Sequence, residues 1–400
     1  MRNALLALLL LLPASAGAVE LKLDGYGDLR LVVPPSEKSY LDGGLGKFRF
    51  GAEDGGAKLE WTELLGQVAA RFTPGLTAVV VARIASDQTK TLDVLESYIR
   101  YRPVSITPWR WNFKVGAFFP PISLENTEVG WTSPWTLTPS SINSWVGDEL
   151  RTLGASSGVE YRTARGTLSL DGALFGWNDP AGVVLAYRGW AFDDRPSGLF
   201  EHIRLPDVVA NELGVPAPWH KPLFKEIDDR PGWYVDGAWD DRAFGRVQIM
   251  RYDNNAELDA IRDGVRTWRT QFWSGGYANQ FGPFTLLAQG MTGETAVAPA
   301  PAMFSKADFD AAYSLIGWQR GEWRLAWRYD WFKVNDSRTE PYYKEYGDAY
   351  TISANWEPRK WLRLSAEALW VNADRDFRED AGLPERTHEV QVQFGVRIYY

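Results

Sequence analysis

The chain has 400 residues, with 43 Lys and Arg against 51 Asp and Glu, and its net charge of −8 excludes a nucleic-acid partner. With no cysteine it has no disulfide framework, and three histidines are too few for most histidine-based metal sites, so no cofactor is expected. Aromatic residues reach 14%, including 20 tryptophans, while mean hydropathy is negative.

The chain opens on a segment that reads as a signal peptide over 1–18. Arg2 is its basic n-region, Ala4 to Leu12 its apolar stretch, and Ala16-Gly17-Ala18 its small-residue cleavage site. Its apolar part is too short for a spanning helix, which needs about 20 residues. Export combined with negative hydropathy suits a membrane β-barrel, in which only alternate strand residues face lipid. A large soluble periplasmic β-protein, binding sugar through its tryptophans, is the alternative on composition alone.

From residue 19 onward the pattern has period two. Leu21, Leu23, Leu29, Leu31 and Val33 share one face, with Lys22, Asp24, Asp28 and Arg30 opposite. Strands are expected at 19–33, 57–73, 75–86, 91–102, 109–119, 151–162, 167–177 and 232–240. They continue at 242–252, 265–279, 282–292, 308–319, 322–334, 347–357, 360–372 and 387–400. A phase change near Glu63 predicts a bulge. The fold class is therefore all-β: an antiparallel transmembrane barrel of about sixteen strands over 19–400.

Connection lengths alternate. The long ones are 34–56, 120–150, 178–231, 253–264, 293–307, 335–346 and 373–386, with 87–90 the one short exception. Between them lie tight turns at Pro74-Gly75, 103–108, 163–166, Asp240-Asp241, Gln280-Phe281, Arg320-Gly321 and Pro358-Arg359. Long extracellular loops and short periplasmic turns are the asymmetry of outer-membrane barrels, with both termini periplasmic. Trp318, Trp323, Trp356, Trp361 and Trp239 stand beside the turns. Phe119, Trp268, Trp331 and Trp370 are expected at the opposite rim. Trp323 and Trp331 are separated by roughly 26 Å along a strand, or about 20 Å vertically at the usual tilt, which fits two interfacial girdles.

The faces opposite the lipid side are charged. They hold Arg30, Arg71, Arg83, Arg100, Arg110, Lys114, Arg162, Arg246, Arg269, Arg324, Arg328, Arg363 and Arg397. Asp24, Asp28, Glu96, Glu160, Asp171, Asp236, Asp330, Glu367 and Glu389 share those faces. A charge on the lipid face near the midplane costs about 2–4 kcal/mol, so these residues are expected in a water-filled lumen. An inward excess of arginine would favour small anions.

The stretch Phe113-Lys114-Val115-Gly116-Ala117-Phe118-Phe119-Pro120-Pro121-Ile122-Ser123-Leu124-Glu125 opens the third long loop. It resembles a strand-to-loop segment of the phosphate-selective porin O/P family, over about residues 113–151. The resemblance implies a sixteen-stranded homotrimer, an inward-folded third loop forming a constriction at 120–150, and arginines guiding anions. This loop departs from that family in being acidic, with Glu125, Glu128, Asp148 and Glu149, which argues against phosphate as the solute. The terminal strand, with alternating apolar residues up to Tyr400, resembles the signal read by the barrel-assembly machinery.

The expected function is diffusion of small hydrophilic solutes or ions through an outer-membrane porin surrounded by lipid and lipopolysaccharide. The expected pore-lining residues are Arg30, Arg71, Arg83, Arg100, Arg110, Lys114, Glu125, Glu128, Asp148, Glu149, Arg162, Arg324, Arg328, Arg363 and Arg397. The loop 178–231, with its prolines, tryptophans, His202 and His220, reads either as a lid or as an extracellular cap. A structural or adhesive barrel with a plugged lumen is the alternative within the membrane. No enzyme is expected: His388 is the one strand histidine and has no serine partner in sequence.

Overall fold

The computed structural model describes residues 19–51, 55–300, 303–337 and 344–400. The expected signal peptide, 1–18, lies outside the described residues. Sixteen antiparallel strands close into one barrel. They are β1 Glu20–Val33, β2 Lys58–Thr73, β3 Leu76–Ile84, β4 Leu92–Tyr101, β5 Trp109–Phe118, β6 Thr152–Arg162, β7 Gly166–Gly176 and β8 Gly232–Asp241. The second half comprises β9 Gly245–Asp253, β10 Arg269–Phe281, β11 Phe284–Ala300, β12 Met303–Arg320, β13 Trp323–Asp336, β14 Lys344–Arg359, β15 Leu362–Arg375 and β16 Arg386–Tyr399. Each pairs with its neighbours in sequence, and β1 closes on β16 through Tyr26 opposite Tyr399 and Val33 opposite Val392. Closure removes both sheet edges, the one arrangement in which strands leave no unpaired backbone in lipid.

Alternation sorts the side chains. On β16, Val390, Phe394, Val396 and Ile398 are exposed on the outer wall, while Glu389, Gln391, Gln393 and Arg397 are buried inside. On β9, Val247 and Ile249 face out, and Gln248, Met250 and Tyr252 face in. The register of β1 against β2 shifts between Asp28 and Leu29, opposite Glu63 and Trp61, which makes the bulge expected there. Trp323 and Trp356 stack at 5.8 Å beside the turns, as one girdle requires. We predict that Ile249→Arg, which would put a charge on the outer wall, lowers unfolding stability by about 2–4 kcal/mol in a lipid or micelle host, read from urea titration. The same change at inward Met250 should not follow this depth-dependent lipid cost.

Several expectations are corrected. Residues 293–300 and 303–307 belong to strands where a long loop was expected: β11 and β12 run on as a ladder as far as Ala300 opposite Met303. Glu294, Lys306 and Asp308 project from the outer wall of that extension and pair with one another. The turn assigned to Asp240-Asp241 falls at 242–244, because the ladder continues to Asp241 opposite Gly245. Arg269 faces outward, since the alternate residues Thr270 and Phe272 are the buried ones. Phe119 and Trp268 are not girdle residues. Phe119 stacks on Trp131 at 4.2 Å, and Trp268 packs on Tyr187 at 5.4 Å, both inside.

The loops do not all stay outside. Residues 119–151 turn into the barrel and carry helix α1, Ser141–Glu149, whose nine residues are all buried. Much of the next loop follows them in, including short helix α2 (Val183–Arg188), whereas the segment after short helix α3 (Asp207–Glu212) is exposed at Leu213. The first long loop adds Lys47, Phe48 and Arg49, with Phe48 bridging Phe192. The principal apolar core of the molecule therefore lies inside the barrel. Trp145 and Trp190 meet Phe309 and Phe272 of the wall there, edge-on or tilted, at 5.2–6.1 Å.

Candidate functional site: the occupied lumen

Loop 119–151 is tied to the wall by charges set into the strands. Arg328 on β13 lies between Glu125 of the loop and Asp330 of its own strand, at 2.7 Å to each. Its guanidinium also donates to the Thr138 and Pro139 carbonyls at 2.8 and 3.0 Å. Glu125 in turn accepts from Ser140 N, and Asp330 from Ser141 N, so two carboxylates sit at the start of α1. That is the favourable end of the helix dipole for negative charge. At the other end, Arg151 donates to the Gly147 and Leu150 carbonyls and stacks 3.5 Å above Phe119. Further wall contacts run from Glu367 to the 137–138 backbone and from Asn355 to Trp135 O. Arg363 holds Glu128 through two bonds of 3.0 and 2.9 Å. Despite its burial, that ion pair keeps the Glu128 carboxyl below the usual carboxylate range.

The second inward loop rests on this first one. Glu149 accepts from Gly182 N and Val184 N, where α2 begins. Gly182 has φ +99°, and a Cβ there would collide with Thr270 and Thr295 of the wall, so the close approach requires glycine. Arg188 pairs with Asp148 at 2.7 Å. Asp194 bridges Arg30 of β1 and Arg49 of the first loop. Lys47 pairs with Glu345 of β14, whose other oxygen accepts from Trp190 N. Asp193 and Asp194 diverge in acidity. Burial and nearby Asp148 push Asp193 well up, whereas Arg30 and Arg49 hold Asp194 low although it is buried. Near the strand ends, burial raises Asp179 to about 7, with Glu226 and Asp228 adding to the effect.

The wall charges named from sequence divide by burial. Arg30, Arg83, Arg328, Arg363 and Arg397 are buried, Arg363 on the same Glu357 that Arg324 holds near the turn end. Arg30 is 1% exposed, and Arg83 and Arg328 are 0% exposed, so no water-sized space reaches them. Arg397 and Arg30 share Asp28, and Arg83 faces Glu63 at 3.8 Å. Arg71, Arg100, Arg110, Arg162 and Arg324 gather at the end carrying both termini, where Arg71 pairs with Glu20 and Arg324 with Glu357. Arg110 donates to the Thr107 and Trp109 carbonyls, and Lys114 lies over the rings of Tyr98 and Phe118. The expectation of water-solvated deep charges is therefore corrected. The loops desolvate those charges and supply partners to Arg30, Arg328 and Arg363, while Arg83 and Arg397 pair within the wall. The third-loop acids likewise do not face the wall across open water: Glu125 and Glu128 bond it directly, and Asp148 and Glu149 bond the second loop.

Sequence reading missed Arg151 at the end of the third loop and the partners from the other loops: Lys47, Arg49, Asp87, Asp194, Arg195 and Glu201. Asp87 binds Arg49 at 2.7 Å, and Arg195 faces Glu201 at 3.5 Å. Charges in loops look solvated when only local sequence is read, and no periodicity marks them. Below the loops the interior opens toward the end with the termini. A cavity of about 550 Å³ lies beneath residues 119–131, and one of about 780 Å³ at the mouth shares Arg246 and Ala278 with it.

A closed sixteen-strand barrel with an apolar outer wall and inward-folded loops is the fold class of porin-type transmembrane barrels. Among solved structures, the chain is similar to the outer membrane channel DcaP of Acinetobacter baumannii, with 11% identity and a TM-score of 0.56 over 96% of this chain and 99% of that one. It is also similar to in-vitro folded OmpT, an outer membrane protein of Vibrio cholerae, with 10% identity and a TM-score of 0.53 over 97% and 99% of the two chains. The trimer form of OmpT gives 11% identity and a TM-score of 0.52 over 96% and 100%. No protein-family model matches the sequence, and no curated protein matches it. At such identities the likeness is one of fold, and it does not single out the phosphate-selective O/P family.

Proposed function

We propose that the chain is an outer-membrane channel for small hydrophilic solutes, with an anion preference, in a state whose lumen is occupied by its own extracellular loops. The observation that carries this reading is the division of the barrel into an apolar outer wall and an inner wall set with arginines. Arg30, released from Asp194, would face a solute once the second loop moves aside, and arginines lining a pore stabilise anions. Residues 119–151, tied along their length to the wall, would remain as the constriction. The termini and short turns would then face the periplasm. DcaP is described as an outer membrane channel, which supports a transport role, and the trimer form of OmpT supports a homotrimer. A channel also fits the site better than an enzyme does, because the buried side chains are consumed in structural ion pairs. The apolar outer wall disfavours a soluble sugar-binding protein.

A plugged structural barrel is the second reading, and the near-zero exposure of the deep arginines favours it. Planar-bilayer recording of protein that migrates as a heat-modifiable band separates the two. Conductance steps with an anion-selective reversal potential in a salt gradient are the expected result. Silence at both polarities from folded, inserted protein would overturn the channel reading and leave the plugged one.

A further inference from the structure

The two cavities join at Arg246 and Ala278 into a chamber that runs from the mouth at the termini up to residues 119–131. Its inner end is apolar where Phe119, Pro120, Pro121 and Leu124 line it. The carboxylates at that end already have partners: Glu96 accepts from Phe119 N, and Glu128 is held by Arg363. The mouth differs in charge. Arg162 and Arg102 share one carboxylate, Glu160, while Arg246 pairs with Asp240 and Arg165 with Asp241. Arg242 also lines the mouth and makes no ion pair among the described residues. Among the residues that line the mouth, three arginines (Arg162, Arg242 and Arg246) thus meet two carboxylates (Asp240 and Asp241), and the surplus charge is positive.

We propose that this chamber binds an amphipathic anion, a small apolar body ending in a carboxylate or phosphate. Its apolar part lies against Phe119, Pro120, Pro121 and Leu124, and its charged group stays among Arg162, Arg242 and Arg246. The orientation follows from charge: the inner cavity is lined by no arginine beyond the shared Arg246, whereas Arg162, Arg242 and Arg246 all line the mouth. Burying the apolar part also removes its surface from water, at about 25 cal/mol per Å². Entry from the periplasmic side rests on the outer-membrane reading above, but binding itself does not require conduction.

The test is calorimetric titration of the purified, detergent-solubilised protein with hexanoate and, separately, hexan-1-ol. Hexanoate should saturate one site and bind about tenfold more tightly than hexan-1-ol, since every 1.4 kcal/mol of charge recognition is a factor of ten. Exchanging the mouth arginines together (Arg162→Gln, Arg242→Gln, Arg246→Gln) should erase that difference. Ala278→Trp, which fills the junction of the two cavities, should abolish saturable binding. Equal affinity for the two probes, or hexanoate binding unchanged in both variants, would overturn the proposal. Should Ala278→Trp fail to give a heat-modifiable band, the arginine variant decides alone, because its substitutions lie at the open mouth. A protein that is silent in bilayers yet binds hexanoate loses the channel reading only. One that conducts but does not bind loses this proposal only.

Discussion

Replacing residues 179–229 by a four-residue Gly/Ser turn should raise single-channel conductance by about an order of magnitude, because an emptied sixteen-strand barrel is wide enough for an aqueous channel. The replacement can close without strain on the wall. β7 and β8 are already paired at Phe175 opposite Gly232, so the loop leaves and re-enters the barrel at adjacent positions. Unchanged conductance from a folded variant would mean that residues 119–151 alone close the lumen. A milder form of the experiment is Asp194→Ala. It leaves Arg30 without the loop carboxylate that bridges it to Arg49, and should increase the frequency of open events.

The same loop makes seating depend on pH, and the sign follows from Asp193. Its carboxyl is pushed up by burial and by Asp148, so the seated state holds that proton more tightly than a solvent-exposed loop does. Lowering the pH from neutral toward the ordinary carboxylate value therefore favours seating. Asp194 stays ionised through that window, because Arg30 and Arg49 hold it low. Open probability should then be lower at pH 5 than at pH 8, and Asp193→Asn should remove the part of that dependence due to this group.

Arg328→Ala should be the most destabilising single substitution at the third loop, by about 3–5 kcal/mol, because it strands two buried carboxylates. Glu125 and Asp330 each lose a bond of 2.7 Å, and neither is reached by solvent. The measurement is the urea midpoint of the heat-modifiable band. Replacing Glu125, Arg328 and Asp330 together by apolar residues of similar volume should cost much less, since no charge is then left alone. A loss from Arg328→Ala below about 1 kcal/mol would show that water enters and screens the pair, as at an exposed ion pair.

Some of this architecture was legible because its cause is local. A lipid-facing wall forces apolar residues to every second position, so Val390, Phe394, Val396 and Ile398 mark β16 directly in the sequence. Where that cause stops, the legibility stops with it. The upper parts of β11 and β12 carry Glu294, Lys306 and Asp308 on their outer wall, so their alternation disappears and 293–307 reads as a loop. Phe119 and Trp268 fail for the complementary reason. Their aromatic rings suit a membrane interface as well as a packed interior, and local sequence does not distinguish the two.

By itself, then, the sequence determined the number of strands, the bulge at Glu63, the inward direction of Arg30, Arg328 and Arg397, and the two-sided wall, all set by side-chain period and turn chemistry. Only the tertiary structure decided what those arginines meet. Asp194 reaches Arg30 across a separation of 164 residues, and Glu125 reaches Arg328 across 203. Contacts of that range are selected by the combined burial of Trp145, Trp190 and Phe309 inside the barrel, and no periodicity along the chain records them.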